Sequence, residues 1–322
     1  MNSRSTTGYI KAGKRAWSHK SVLALLCAHP DIHDPERIII EKAQTLVDEA
    51  INLGWSGPPF DPETLASLRG IEVTHVDESI GSEARIFPKA NGAVEIEVNA
   101  GYPKARVNFS ICHEIVHTFF PDCYEEIRHR NRLSPDERKH WELEYLCDVG
   151  AAELLMPLRT FAADLSRLGT FLSSIRRLEG LYNASAEAVM IRVAQLSDAP
   201  CAVIFLSERI SPAEGKSSAT MEFDFGLEPL KPKFRVDYVC RSKTCRLFVP
   251  QHKSAPAHSI VYRASTEEAI EAVETWNIPG FGTRKVQAIA LPTRIGSPKR
   301  VAVLFTHAAE GATLDESPRF HF

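Results

Sequence analysis

The sequence has no apolar run long enough to cross a bilayer, no excess of one charge sign and no paired pattern of cysteines. Each absence removes a class of protein. A membrane-spanning helix needs about 20 consecutive apolar residues, and "SVLALLCA" at 21–28 is far shorter. Lys and Arg number 38 against 41 Asp and Glu, for a net charge of −3. The chain therefore lacks the basic balance that grips duplex DNA regardless of sequence, and direct nucleic-acid binding is not expected. Seven cysteines in 322 residues are odd in number and scattered. That pattern points to reduced thiols in a cytoplasm and away from a disulfide framework. Four basic residues (Lys11, Lys14, Arg15 and Lys20) precede "SVLALLCA", as in a secretory leader. The run is short for that role, no A-x-A-like site follows, and "HPDIHDPER" leads straight into a helix. A core helix behind a polar leader is the better reading.

What remains has the composition of a globular protein, 44% hydrophobic and 25% charged, and enough length for two domains. Asp34-Pro35 opens a helix over 35–53, with Ile39, Ala43, Leu46, Val47 and Ala50 at helical spacing and Gly54 to end it. Asp61-Pro62 opens a second, short helix. Strand-like runs follow, "IEVTHV", "EARIFP" and "GAVEIEVN", with Asn91-Gly92 as a hairpin turn between the last two. Helices are expected over 106–120, 139–156, 171–182 and 185–196. Beyond residue 198 the texture turns to strands: "CAVIFL", "FRVDYV", "RLFVP", "HSIVYR", "VQAIALP" and "RVAVLFT". A helix, "TEEAIEAVETW", interrupts them.

Within 106–120 lies His113-Glu114-Ile115-Val116-His117. Positions i and i+4 share a helix face, so His113 and His117 can offer imidazole nitrogens to one metal ion. Glu114 stands beside them as a general base. That is the physical sense of H-E-x-x-H, two ligands and a base from one turn. The apolar neighbours Phe109, Ile111, Ile115, Val116, Phe119 and Phe120 would bury the helix, and buried imidazoles need partners. The bland alternative is two satisfied core histidines beside a surface glutamate.

A catalytic zinc takes three protein ligands and keeps one open position. The segment "ELEYLCDVGAAELLMP" offers Glu142, Glu144, Asp148 and Glu153 on an otherwise apolar helix. Glu144 and Asp148 are i and i+4, so one can ligate while the other accepts the outer N–H of a ligating histidine. Glu142 is the rival third ligand.

These residues resemble the ImmA/IrrE family of metallo-endopeptidases. "NFSICHEIVHTFF" is similar to the family's H-E-x-x-H helix. "EYLCDVGAAELLMP" resembles its E-x-x-A-[ND]-x-F-A-A-x-x-L-M-P signature, with Cys147 where alanine is usual and Gly150 where phenylalanine is usual. The likeness covers roughly residues 35–196. It implies a zinc endopeptidase with His113, His117 and Glu144 as metal ligands, Glu114 as catalytic base and Asp148 behind the ligands; Mn2+ and other divalent ions also suit such a set. It implies an α+β fold in four parts. These are a flexible leader (1–30), a zincin-like metallopeptidase domain (31–160), a helical helix-turn-helix-like subdomain (161–198) and a strand-rich α+β, GAF-like sensor domain (199–322). The partner it implies is a separate helix-turn-helix (XRE-like) repressor, cleaved to release stress-response or mobile-element genes. The strand at 93–99 is a candidate to receive an extended substrate by strand addition. Tyr124, His129 and His140 are candidates to stabilise the oxyanion.

Weaker signals have bland readings. Cys112, Cys123 and Cys147 are read as buried, inert thiols beside the motifs. Cys240-x4-Cys245 with His252 has no standard metal spacing. Arg176, Arg177 and Arg192 on the 171–196 helices are read as support for the catalytic domain. Two other functions compete: a silent sensor module with a relic zinc helix, which would have no need of Glu114, and a DNA-binding regulator, which would show salt-dependent duplex affinity.

Overall fold

The computed structural model describes residues 17–76, 80, 82–89, 92–125, 141–211, 231–264, 268–278, 282–294, 299–307 and 319–321. These divide into two compact units. One comprises 17–167 and 177–188, the other 168–176 and 189–321. The chain is α+β, with a helical region and two separate sheets.

In the first unit, helices α1 (Lys20–Ala28), α2 (Pro35–Asn52) and α3 (Pro62–Leu68) come first. The Asp34 carboxylate accepts the Glu36 N–H at 3.1 Å, and Asp61 accepts that of Thr64 at 2.9 Å. Each aspartate precedes a proline whose missing N–H costs a helix start nothing. α1 occupies part of the stretch expected as a leader. The residues just before it are tied down by Glu142, whose carboxylate accepts from the Ser18 N–H (2.8 Å), the Ser18 hydroxyl (2.7 Å) and the His19 N–H (2.7 Å).

Strands β1 (Glu72–Val76), β2 (Ala84–Pro88) and β3 (Val94–Asn99) form a sheet ordered β1-β3-β2, parallel between β1 and β3 and antiparallel between β2 and β3. The β2–β3 turn places Gly92 at φ +86°, where glycine pays no steric penalty; Asn91 lies outside the described residues. β3 is the central strand, and both of its edges are taken. The expectation that 93–99 receives a substrate strand is therefore corrected, because among the described residues the outer strands of this sheet are β1 and β2.

Helices α4 (Lys104–His117) and α5 (Trp141–Leu155) pack against each other, and α5 also packs on α2. From Val107 onward nearly every residue of α4 is buried. Packing is tight at Gly150 of α5, where a Cβ would stand 2.6 Å from Val116 Cγ2 of α4 and 2.8 Å from Ile39 Cγ2 of α2. A further helix, α6 (Leu158–Leu168), was missed in the sequence. Its signal is Phe161 and Leu165, four apart and both buried.

In the second unit lie α8 (Ala186–Leu196) from Val189 onward and the first turns of α7 (Leu172–Tyr182). Its sheet comprises β4 (Cys201–Arg209), β5 (Lys233–Arg241), β6 (Ile270–Ile278), β7 (Gly282–Arg294), β8 (Arg300–His307) and β9 (Arg319–His321). The order is β5-β4-β8-β7-β6-β9, antiparallel except for β6 with β9. Two local expectations reverse here. The composition of "TEEAIEAVETW" predicts a helix, yet β6 runs through it. Ile270, Ala272 and Trp276 recur at period two and turn to one core, and pairing with β7 overrides the helical preference of its glutamates and alanines. "HSIVYR" is expected as a strand, but helix α9 (Ile260–Ala264) starts within it. The buried Glu274 carboxylate accepts the Ile260 N–H at 3.0 Å and so caps that helix, while also taking Arg263 (2.8 Å) and Trp276 Nε1 (2.9 Å). "RLFVP" is not a strand, although Leu247 and Val249 still turn inward to the core.

The tight crossing gives a clean test. Gly150→Ala forces Val116 or Ile39 to move and should cost about 1–3 kcal/mol in urea unfolding. Gly180→Ala, in α7 with nothing within 4 Å of the new methyl, should leave stability unchanged or raise it by roughly 0.5–1 kcal/mol.

Candidate metal centre

His113 and His117 lie on the buried face of α4, 2% and 3% exposed, with ring centroids 5.1 Å apart. Both present Nε2 to the same carboxylate on α5. His113 Nε2 is 3.2 Å from Glu144 Oε2, and His117 Nε2 is 3.9 Å from Glu144 Oε1. The outer nitrogens also face α5: His113 Nδ1 is 2.9 Å from Asp148 Oδ1, and His117 Nδ1 is 3.4 Å from Cys147 Sγ. Glu114, in the same helical turn, is 3% exposed and is not the surface residue of the bland reading.

Two donor atoms held at about 2.1 Å by one tetrahedral ion stand about 3.4 Å apart. Glu144 offers a different oxygen to each Nε2, 3.2 and 3.9 Å away and within half an ångström of that spacing, so two imidazoles and a carboxylate could hold a divalent ion such as zinc. Among the described residues, His113, His117 and Cys147 also bring their donor atoms within 4.8 Å of one another. The thiol approaches His117 through Nδ1, on the ring side away from Glu144, and one imidazole cannot turn both nitrogens to one ion. The other acids of α5 are engaged elsewhere. Glu142 holds the start of α1, and although burial pushes its carboxyl up, the bonds from His19 and Ser18 bring it below the usual carboxylate range. Glu153 accepts Gln44 Nε2 (3.0 Å) and the Leu158 N–H (2.9 Å).

Cys147 is the residue at the site that sequence reasoning undervalued. The signal was its place three residues after Glu144 and next to Asp148. Cys112 and Cys123 are buried, and burial pushes both thiols up. His129 and His140 lie outside the described residues; Tyr124 is half-exposed just beyond α4. Cys240, Cys245 and His252 are not gathered into a donor cluster. His252 Nδ1 instead faces an Arg209 nitrogen at 3.1 Å. Arg192 is buried, 3.5 Å from Gln195 Oε1, and so adds no charge to a DNA-facing surface.

Two comparisons with known proteins bear on this geometry. Residues 70–194 match the peptidase M78 family model, described as the IrrE N-terminal-like domain. The matched segment holds His113, Glu114, His117, Glu144 and Asp148. Among solved structures, a Mycobacterium tuberculosis transcriptional regulator shares the fold, with a TM-score of 0.55 and 16% identity over 94% of this chain and 88% of that one. No curated protein matches the chain. Among the described residues, no helix is long and apolar enough to cross a membrane.

Burial alone would push the His113 imidazolium down, but bonds to Asp148 and Glu144 outweigh it and hold its pKa up to about 9 in the metal-free chain. The folded value exceeds the unfolded one, near 6.5. The stabilisation is thus complete below pH 6.5 and lost as pH rises through about 9. Chelator-treated protein should therefore lose up to roughly 3 kcal/mol of unfolding free energy across that window, and Asp148→Asn should flatten the slope. A flat wild-type profile would contradict the charged His113.

Proposed function

We propose that this chain is a zinc-dependent endopeptidase that acts on a regulatory protein. The observation carrying the proposal is the Glu144 carboxylate set between two Nε2 atoms of an H-E-x-x-H helix, with Glu114 buried in the same turn. His113, His117 and Glu144 would hold the ion, and Asp148 would fix His113 through its outer nitrogen. When bound, zinc supplies a Lewis acid that polarises the scissile carbonyl and acidifies a water molecule.

The remaining work falls to the chain. The Glu114 carboxylate takes a proton from the attacking water and hands it to the leaving amine nitrogen. Asp148 and Cys147 keep both imidazoles turned with Nε2 inward. Because β3 is saturated, an extended substrate segment would add to the outer edge of β2, the edge strand that packs against α4. The substrate we propose is a helix-turn-helix (XRE-like) repressor whose cleavage releases stress-response or mobile-element genes. The six-stranded second unit would be a GAF-like sensor, and the setting cytoplasmic. The family likeness and the near-neutral charge support this reading over direct DNA binding. The buried Glu114 beside the histidine pair supports it over a silent relic.

Glu114→Gln separates chemistry from metal binding. It should lower repressor cleavage by at least about 100-fold while zinc content stays at the wild-type level. Undiminished cleavage by the variant would remove Glu114 from the mechanism.

A further inference from the structure

The two histidines are held by matched arrangements. Each turns Nε2 toward Glu144 and Nδ1 toward a side chain of α5, Asp148 for His113 and Cys147 for His117. Asp148 and Cys147 are adjacent in sequence, so one stretch of α5 supplies both outer contacts. Cys147 is fully buried, and 3.4 Å between nitrogen and sulfur suits an N–H to thiol hydrogen bond. We infer that Cys147 is a positioning residue for His117, accepting its Nδ1–H so that Nε2 stays turned to the ion, and is not itself a metal ligand.

The inference rests on the zinc reading above. A ligating imidazole binds through one nitrogen, and what the other bonds to decides which tautomer is present. With Nε2 on the ion, the one proton of neutral His117 would sit on Nδ1, where the thiol is 3.4 Å away. Sulfur is a weak acceptor, so His117 is held more softly than His113, whose partner is a carboxylate. His117 is accordingly the ligand more readily disturbed. A serine at 147 keeps an acceptor at nearly the same place; an alanine removes it.

The test uses the full chain with zinc, comparing wild type, Cys147→Ala and Cys147→Ser. Zinc dissociation constants come from competition with a chromophoric chelator. Long-range proton–nitrogen NMR of the zinc form reads which His117 nitrogen carries the proton. Melting of the metal-free forms reports any general loss of packing. Expected are an Nδ1–H on His117 in the wild type, zinc affinity about tenfold weaker in Cys147→Ala, and recovery to within about threefold in Cys147→Ser. Equal affinities in all three would overturn the inference. So would equal losses in both variants that track metal-free melting, since these would make Cys147 a packing residue only. A strong thiolate-to-metal charge-transfer band in the cobalt-substituted wild type would overturn it as well, by making Cys147 a ligand. A wild-type chain that takes up no zinc would instead refute the proposed function, a separate and distinguishable failure.

Discussion

The candidate centre depends on how closely two helix backbones approach. α5 crosses α4 where Gly150 lacks a side chain, and the methyls of Val116 and Ile39 occupy the space a Cβ would need. Val116 precedes His117, and Gly150 lies six residues after Glu144. A bulkier residue at 150 would have to displace Val116 or Ile39. The phenylalanine usual in the resembling family at this position cannot be fitted onto this backbone.

Polar side chains on a buried helix are costly unless partnered. α4 carries two buried histidines and a buried glutamate, and within five residues α5 returns Glu144, Cys147 and Asp148 to meet the histidines. The four acids of α5 have different tasks according to where they fall. Glu142 receives the residues just before α1, Glu144 enters the space between the imidazoles, Asp148 takes an outer nitrogen, and Glu153 bonds to Gln44 and the start of α6. Position along the helix, about 100° per residue, decides which partner each carboxylate meets.

Much of the first unit was legible because its signals are local. Asp-Pro helix starts, a turn glycine and a histidine pair at i, i+4 each act within a few residues. The rivalry between Glu142 and Glu144 was not decidable locally, since the answer lies with Ser18 and His19, more than 120 residues away. The second unit was less legible for a related reason. The glutamates of "TEEAIEAVETW" favour a helix, but strand pairing with β7 and the bonds of buried Glu274 to α9 outweigh that preference. The saturation of β3 likewise depends on β1 pairing in parallel, which no motif in the strand announces. Cys147 read as inert filler because a thiol acquires a role only from what stands opposite it, here His117 Nδ1.

The most direct measurement is the zinc content of the purified wild-type chain beside Glu144→Gln and Glu142→Gln. About one zinc per chain is expected in the wild type and in Glu142→Gln, with loss in Glu144→Gln. A folded wild type free of zinc after zinc reconstitution, or a Glu144→Gln variant that keeps its metal, would contradict the assignment of Glu144 as the carboxylate that closes the site.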